Sequence, residues 1–337
     1  MPAGTARGGI EWRILKSILL IGALPLIVAI IGLLIAARGQ TGAVKENLSI
    51  AARTTSYGLR YAASFRLESL QGLAMNPRVV GALIPSGPDG SPTVLRDRTA
   101  MFDVMEFLGR YTKGGASDEN ASVYTLYDAK GGFVANTAGT DKPAATPLPE
   151  WPAALNSPQF VDIEFLPDAN RYVARAVSPV LSAAKKERIG FIEETFDITP
   201  LLMLGLGYDP YRNSVPPLGD RFQLLSPSST EKLMAWQLDD ESTGKPKFVR
   251  EQLHEAFKDF MLDKERGETG TGVVSQLLAN APEERTFVAY DRIFPDYPLF
   301  VLVSRPSASV YAPIWFWSAL AIAACAVSIG FFYLNAY

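Results

Sequence analysis

The first feature of the chain is an unbroken apolar run. From Ser17 to Ala37 there is no charged residue, and the length matches the roughly 20 residues a helix needs to cross a bilayer's hydrocarbon core. Beyond Arg38 the pattern becomes Leu48, Ala52, Thr55, Leu59, Ala63, Leu67 and Leu70, small or apolar positions three and four apart that mark one helical face. No turn signal separates the two patterns. They predict a transmembrane helix over 17–38 that continues as a stalk helix over 39–76, which would reach on the order of 50 Å at 1.5 Å per residue. Asn76-Pro77 predicts its end, because proline disfavours helix in the residue before it. A second uncharged run, over 312–334, has Trp315 and Trp317 near one end and Tyr333 and Tyr337 near the other, the placement of interfacial anchors.

Between these runs the period shortens. Ser91-Pro92 predicts a helix start, with the helix reaching about Tyr111. Segments 122–127 and 133–136 flank Asp128-Ala129-Lys130-Gly131-Gly132 and predict a hairpin. A short helix at 151–155, a second hairpin from 160–165 and 171–177, a fifth strand over 189–196 and a helix from Thr199-Pro200 follow. The theme then repeats: a hairpin from 221–225 and 233–237, an amphipathic helix over 248–264, and strands over 272–278, 286–292 and 299–304. This order predicts an α+β fold with two antiparallel-sheet modules, over 77–212 and 213–311, between two membrane helices. The tails, 1–16 and 335–337, then lie on one side of the membrane.

Composition narrows the function. With 337 residues, 48% hydrophobic, the chain holds two modest cores besides its membrane segments. Basic residues are interspersed with acidic ones at a net charge of −3, so no basic patch offers the footprint that nucleic acid requires. The only cysteine, Cys325, lies in the second apolar run, which rules out an internal disulfide and a cysteine metal cage. A single histidine, His254, leaves no triad and no multi-histidine metal site. The stretch Gly267-Glu268-Thr269-Gly270-Thr271-Gly272 lacks the Gly-Lys-Ser/Thr ending of a phosphate-binding loop, and Asp239-Asp240-Glu241 lacks the ligand order of a calcium loop. The sequence therefore predicts no catalytic residue, no metal site and no cofactor.

Arg13 and Lys16 before the first run and Ala36-Ala37 at its end also fit a cleaved signal peptide, but the apolar core is too long for one. Arg7, Arg13 and Lys16 on one flank are matched by Arg38, Lys45 and Arg53 on the other, so charge bias leaves orientation open. Segment 330–337 contains no Lys or Arg, which implies a cytoplasmic part beyond Tyr337.

The long juxtamembrane helix, the Tyr127-Asp128-x-x-Gly131 hairpin, the strand ending Val177-Ser178-Pro179, the Gly190 strand leading to Asp197-Ile198-Thr199-Pro200-Leu201, and a second module ahead of a membrane helix resemble a double Cache sensor domain. The resemblance implies two PAS-like modules on one stalk, forming the extracytoplasmic part of a bacterial inner-membrane receptor of the chemoreceptor, sensor histidine kinase or diguanylate cyclase type. It also implies a membrane-distal module that binds a small molecule and a membrane-proximal module that relays the change. A homodimer through the stalk helices is expected, with membrane lipid around the spans. The alternative function is a membrane-anchored assembly protein that uses the same fold to hold a partner protein.

Candidate ligand residues fall in the distal module. Arg171 and Arg175 share one face of a strand and could hold a carboxylate by paired hydrogen bonds, or pair across the hairpin with Asp162 and Glu164. Tyr124, Tyr127 and Trp151 serve either as pocket walls or as core. Glu194 lies on a strand that in the family ends at the pocket, where it could meet an amine or one of the arginines. Amino-acid-binding members carry Arg-x-Trp-Tyr and a late Asp; here Pro149 and Pro152 flank Trp151 and no matching Asp precedes Phe196. An organic acid, another metabolite or a periplasmic protein is implied instead.

Overall fold

A computed structural model describes residues 7–86, 88, 90–112, 122–139, 155–166, 169–182, 186–206, 221–227, 233–239, 247–262, 269–280, 283–294 and 297–336. Its first helix, α1 (Arg7–Ala74), is continuous over 68 residues, about 100 Å at the standard rise. The buried stripe on α1 runs Val44, Leu48, Ala52, Ser56, Leu59, Ala63 and Leu70, close to the predicted face, with Ser56 rather than Thr55 on its centre line. The helix stops where proline predicts. Asn76 caps α2 (Pro77–Leu83), its side-chain oxygen accepting from the Arg78 amide at 3.0 Å.

The helix expected from Ser91-Pro92 onward is split. A single 3₁₀ turn covers Thr93–Leu95, and α3 (Arg98–Thr112) starts only after Asp97. Asp97 is the better cap, its carboxyl accepting from the Thr99 and Ala100 amides at 2.8 and 3.3 Å, while the Ser91 hydroxyl is taken by Arg96.

Strands β1 (Val123–Asp128), β2 (Phe133–Asn136), β3 (Gln159–Leu166), β4 (Arg171–Leu181) and β5 (Arg188–Asp197) form an antiparallel sheet in the order β2-β1-β5-β4-β3. The β1–β2 turn follows from its sequence: Asp128 accepts from the Lys130 and Gly132 amides at 2.8 and 2.7 Å, and Gly131 takes φ +84°, where a side chain would be strained. The helix α4 (Thr199–Gly205) closes this module against α1. Gly205 is needed there, since a Cβ would fall 2.3 Å from a Leu59 methyl.

The second sheet contains β6 (Arg221–Pro227), β7 (Leu233–Asp239), β8 (Lys247–Gln252), β9 (Thr269–Val274), β10 (Thr286–Phe294) and β11 (Tyr297–Pro306), in the order β8-β7-β6-β11-β10-β9. Here one expectation is corrected. The amphipathic helix predicted over 248–264 is a strand followed by a short helix, α5 (Glu255–Leu262). Residues 247–252 pair with β7 from Asp239↔Lys247 to Met234↔Gln252, and the helix can begin only once His254 Nδ1 accepts from the Ala256 amide at 3.1 Å. Over so short a run, helical and strand periodicities are hard to separate.

One core joins both sheets to α1, which crosses β10 and β11 with its earlier turns and β4 and β5 with its later ones. Polar contacts reinforce it. Ser56 donates to Asp291, Arg60 donates to the Ile293 and Arg292 carbonyls at 2.9 Å each, and the Tyr297 hydroxyl reaches across to the Ile163 carbonyl of β3 at 2.5 Å. The final helix, α6 (Ser307–Ala336), follows β11 directly. Runs within α1 and α6 are long and apolar enough to cross a membrane, and each such run is only 6% buried, unlike a core helix.

Candidate ligand-binding face

In the first sheet, register divides side chains between two faces. Tyr124, Leu126, Ile192, Phe196, Ala174 and Ala176 look toward α1 and join its core. Tyr127, Val177 and Phe191 look the other way, where Leu155 packs on them. Strands buried on both faces lose the clean alternation of an exposed sheet, and here each face has taken in charge.

On the face away from α1, β5 presents Glu193, paired in register with Thr125 on β1 and Val177 on β4. Next to it, Arg175 pairs with Thr195 and with Asp162. The carboxylate of Glu193, fully buried, accepts four hydrogen bonds: from Arg175 Nη2 and Nε at 2.9 and 3.4 Å, from the Tyr127 hydroxyl at 3.3 Å and from the Thr195 hydroxyl at 3.1 Å. Arg175 also lies 4.0 Å from Asp162, whose side chain is 36% exposed and so still open to solvent. Burial alone would lower the Arg175 pKa, but the hydrogen bonds and charge of Glu193 outweigh it and leave it raised. Tyr127 is raised well above the ordinary phenol by burial and then by the Glu193 charge, which keeps its proton in place. Beside this cluster the Thr125 hydroxyl is fully buried and has no hydrogen-bond partner among the described residues.

Tyr124 and Glu194 sit on the opposite face. The Tyr124 hydroxyl donates to Glu194 at 3.1 Å, and Arg66 of α1 reaches the same carboxyl at 3.3 Å and Ser122 at 3.0 Å, its guanidinium stacked 4.7 Å over Phe196. Burial first, and then the charge of Glu194, raise the Tyr124 pKa. This group fastens the stalk to the sheet. Arg171 lies near the start of β4, opposite Leu166, and Trp151 lies outside the described residues. The six residues singled out from sequence are thus divided: Tyr127 and Arg175 meet on one face, Tyr124 and Glu194 on the other.

Glu193, Thr125 and Thr195 were not singled out from sequence, although Glu193-Glu194 inside an otherwise apolar strand is a readable signal, since alternation must send one carboxylate to each face. The cluster gathers a cation, hydroxyls and carboxyls, groups able to bind a polar ligand. Among the described residues no group of three or more His, Cys, Asp or Glu could hold a metal ion.

Among solved structures the chain is similar to the ligand-binding domain of the Pseudomonas fluorescens chemoreceptor CtaA in complex with L-isoleucine, at 11% identity and TM-score 0.48, covering 82% of this chain and 97% of that one. It is similar to the sensor domain of the Vibrio cholerae histidine kinase DctB, at 12% identity and TM-score 0.48, covering 79% and 98%. A third is the ligand-binding domain of the Pseudomonas aeruginosa PAO1 chemoreceptor PctB in complex with L-Arg, at 12% identity and TM-score 0.46, covering 84% and 99%. No protein-family model matches the chain, and no curated protein does. Likeness at this level is one of general build and says nothing of ligand or activity. The element order itself, two antiparallel sheets along one long helix with an apolar helix after them, agrees with the double Cache resemblance read from the sequence.

Proposed function

We propose that the chain is the sensory portion of a transmembrane receptor, in which α1 and α6 cross the membrane and the first sheet, the membrane-distal one, binds a small molecule. The observation that carries this reading is the row of buried Thr125, Glu193 and Arg175 with half-buried Thr195 on the face away from the stalk. An ion pair and an orphaned hydroxyl cost folding energy that apolar side chains would not, and a ligand bonding to them would offset that cost.

Charge favours one ligand class. Arg175 faces two carboxyl groups, Glu193 and Asp162, and its closest contacts already go to Glu193. A bare carboxylate would have to displace Glu193, whereas a protonated amine would find Asp162, the carboxyl still open to solvent, as an acceptor. The ligand is therefore a small molecule that carries an amine. To signal, it must bind one arrangement of the stalk better than another, since equal affinity shifts nothing.

The test is thermal unfolding of the full chain in detergent against small amines, carboxylates and zwitterions, with Thr125→Val and Asp162→Asn alongside. A ligand at 100 times its dissociation constant adds about 2.7 kcal/mol, a readable rise. Valine matches threonine in shape and removes an unmet polar atom, so Thr125→Val folds at least as well as the parent. At least one amine is expected to stabilise the parent and not Asp162→Asn. Stabilisation by plain carboxylates only would overturn the amine assignment, and a panel without effect would favour the partner-protein reading.

A further inference from the structure

A cavity lies where the second sheet meets α6. It is an open groove of about 450 Å³ lined by Val273, Ser275, Arg285, Phe287, Ser307 and Tyr311. Its floor is apolar, with Phe287 and Tyr311 rings 6.1 Å apart and Val273 opposite Phe287 in the β9–β10 ladder. Its rim is polar and cationic: Arg285 and Ser275 are exposed, and the Arg285 carbonyl is held by the Ser307 amide at 2.8 Å.

Its height is set by the two apolar runs. Tyr311 immediately precedes the uncharged segment 312–334, and its hydroxyl is 3.0 Å from the Thr41 hydroxyl, four residues past the end of the uncharged segment 17–37. Four residues are about 6 Å of helix, and the headgroup layer on each side of a bilayer's hydrocarbon core is about 5–7 Å deep. The groove thus opens at headgroup level, with Tyr311 nearest the apolar runs, Arg285, Ser275 and Ser307 next, and Phe287 and Val273 farther out along β10 and β9.

Resting on the membrane reading above, we propose that this groove seats an anionic phospholipid, its phosphate on Arg285 and the serine hydroxyls and the upper part of its chains against Tyr311. Such a lipid would touch the residue after β9, the residue before β10 and the first turns of α6 at once, at the junction through which any signal leaves the second sheet.

Phosphatidylglycerol titrated into the full chain in neutral detergent tests this, with the unfolding midpoint as readout. The midpoint is expected to rise saturably with phosphatidylglycerol and not with phosphatidylcholine. Arg285→Gln is expected to weaken the apparent affinity about fivefold, as one basic side chain near an anionic lipid contributes, while Arg285→Lys retains it. Arg53→Gln, further along the exposed stalk, is expected to leave it unchanged. Equal affinity in Arg285→Gln, equal loss in Arg53→Gln, or the same rise with inorganic phosphate would each overturn the site, the last by naming a soluble anion. Alkaline washing of liposomes carrying the chain separates the premises. A chain that washes off overturns the membrane reading and the site together; a chain that stays embedded yet ignores phosphatidylglycerol overturns the site alone.

Discussion

Arg175 and Glu193 are each almost fully buried and are joined by the tightest ion pair on the candidate face, at 2.9 Å. Breaking such a pair from one side leaves a charge without its partner, so Arg175→Met is expected to cost about 3–5 kcal/mol, while Arg175→Met with Glu193→Leu recovers most of it. Urea denaturation of the three proteins decides this; a double variant no better than the single one would mean that the pair holds the sheet in place of serving a ligand. Residue identity was only half legible in the sequence. Alternation along β5 sends Glu193 and Glu194 to opposite faces, but both faces are buried, and which one carries α1 depends on contacts more than a hundred residues away in the chain. Arg66 settles it by claiming Glu194.

At the scale of the element, α1 has two stripes. The buried one packs on both sheets, and roughly opposite it Ile50, Tyr57, Tyr61 and Phe65 are 52–67% exposed, too much apolar surface on one helical face for a lone stalk in water. A second copy of α1 is the occupant that the double Cache resemblance implies. Tyr57→Asp with Tyr61→Asp is expected to convert a dimer to a monomer in light scattering, with far-UV circular dichroism unchanged; a parent already monomeric at high concentration would refute the stalk dimer. Readable in advance were α1, from its long one-sided pattern, the Asp128–Gly132 turn, from its glycines, and the strands of the first sheet, from short runs between turn signals. The segment 247–252 was not, because its strand character comes from pairing with β7, a partner that no local pattern announces.

In the whole molecule, the two sheets meet through Tyr297, whose hydroxyl bonds the Ile163 carbonyl, and through Phe160 and Phe294, 4.8 Å apart. Burial, followed by the Asp162 charge, pushes the Tyr297 pKa up to about 12, so the hydroxyl remains a donor throughout the neutral range. Tyr297→Phe is expected to cost about 1 kcal/mol and to speed amide exchange in β3 as well as in β10 and β11. Faster exchange confined to β10 and β11 would mean that the two sheets respond separately.

The unbroken course of α1 has one more consequence. Each residue turns the helix by 100°, so the apolar segment before Arg38 and the buried stripe that begins at Val44 are locked in a fixed angular phase. Adding or removing a single residue between them would swing one against the other by more than a quarter turn, whereas seven residues, nearly two full turns, would restore their alignment to within about 20°. The length of this rod is therefore free to change only in steps, like a thread that fits its nut at some depths and not at others.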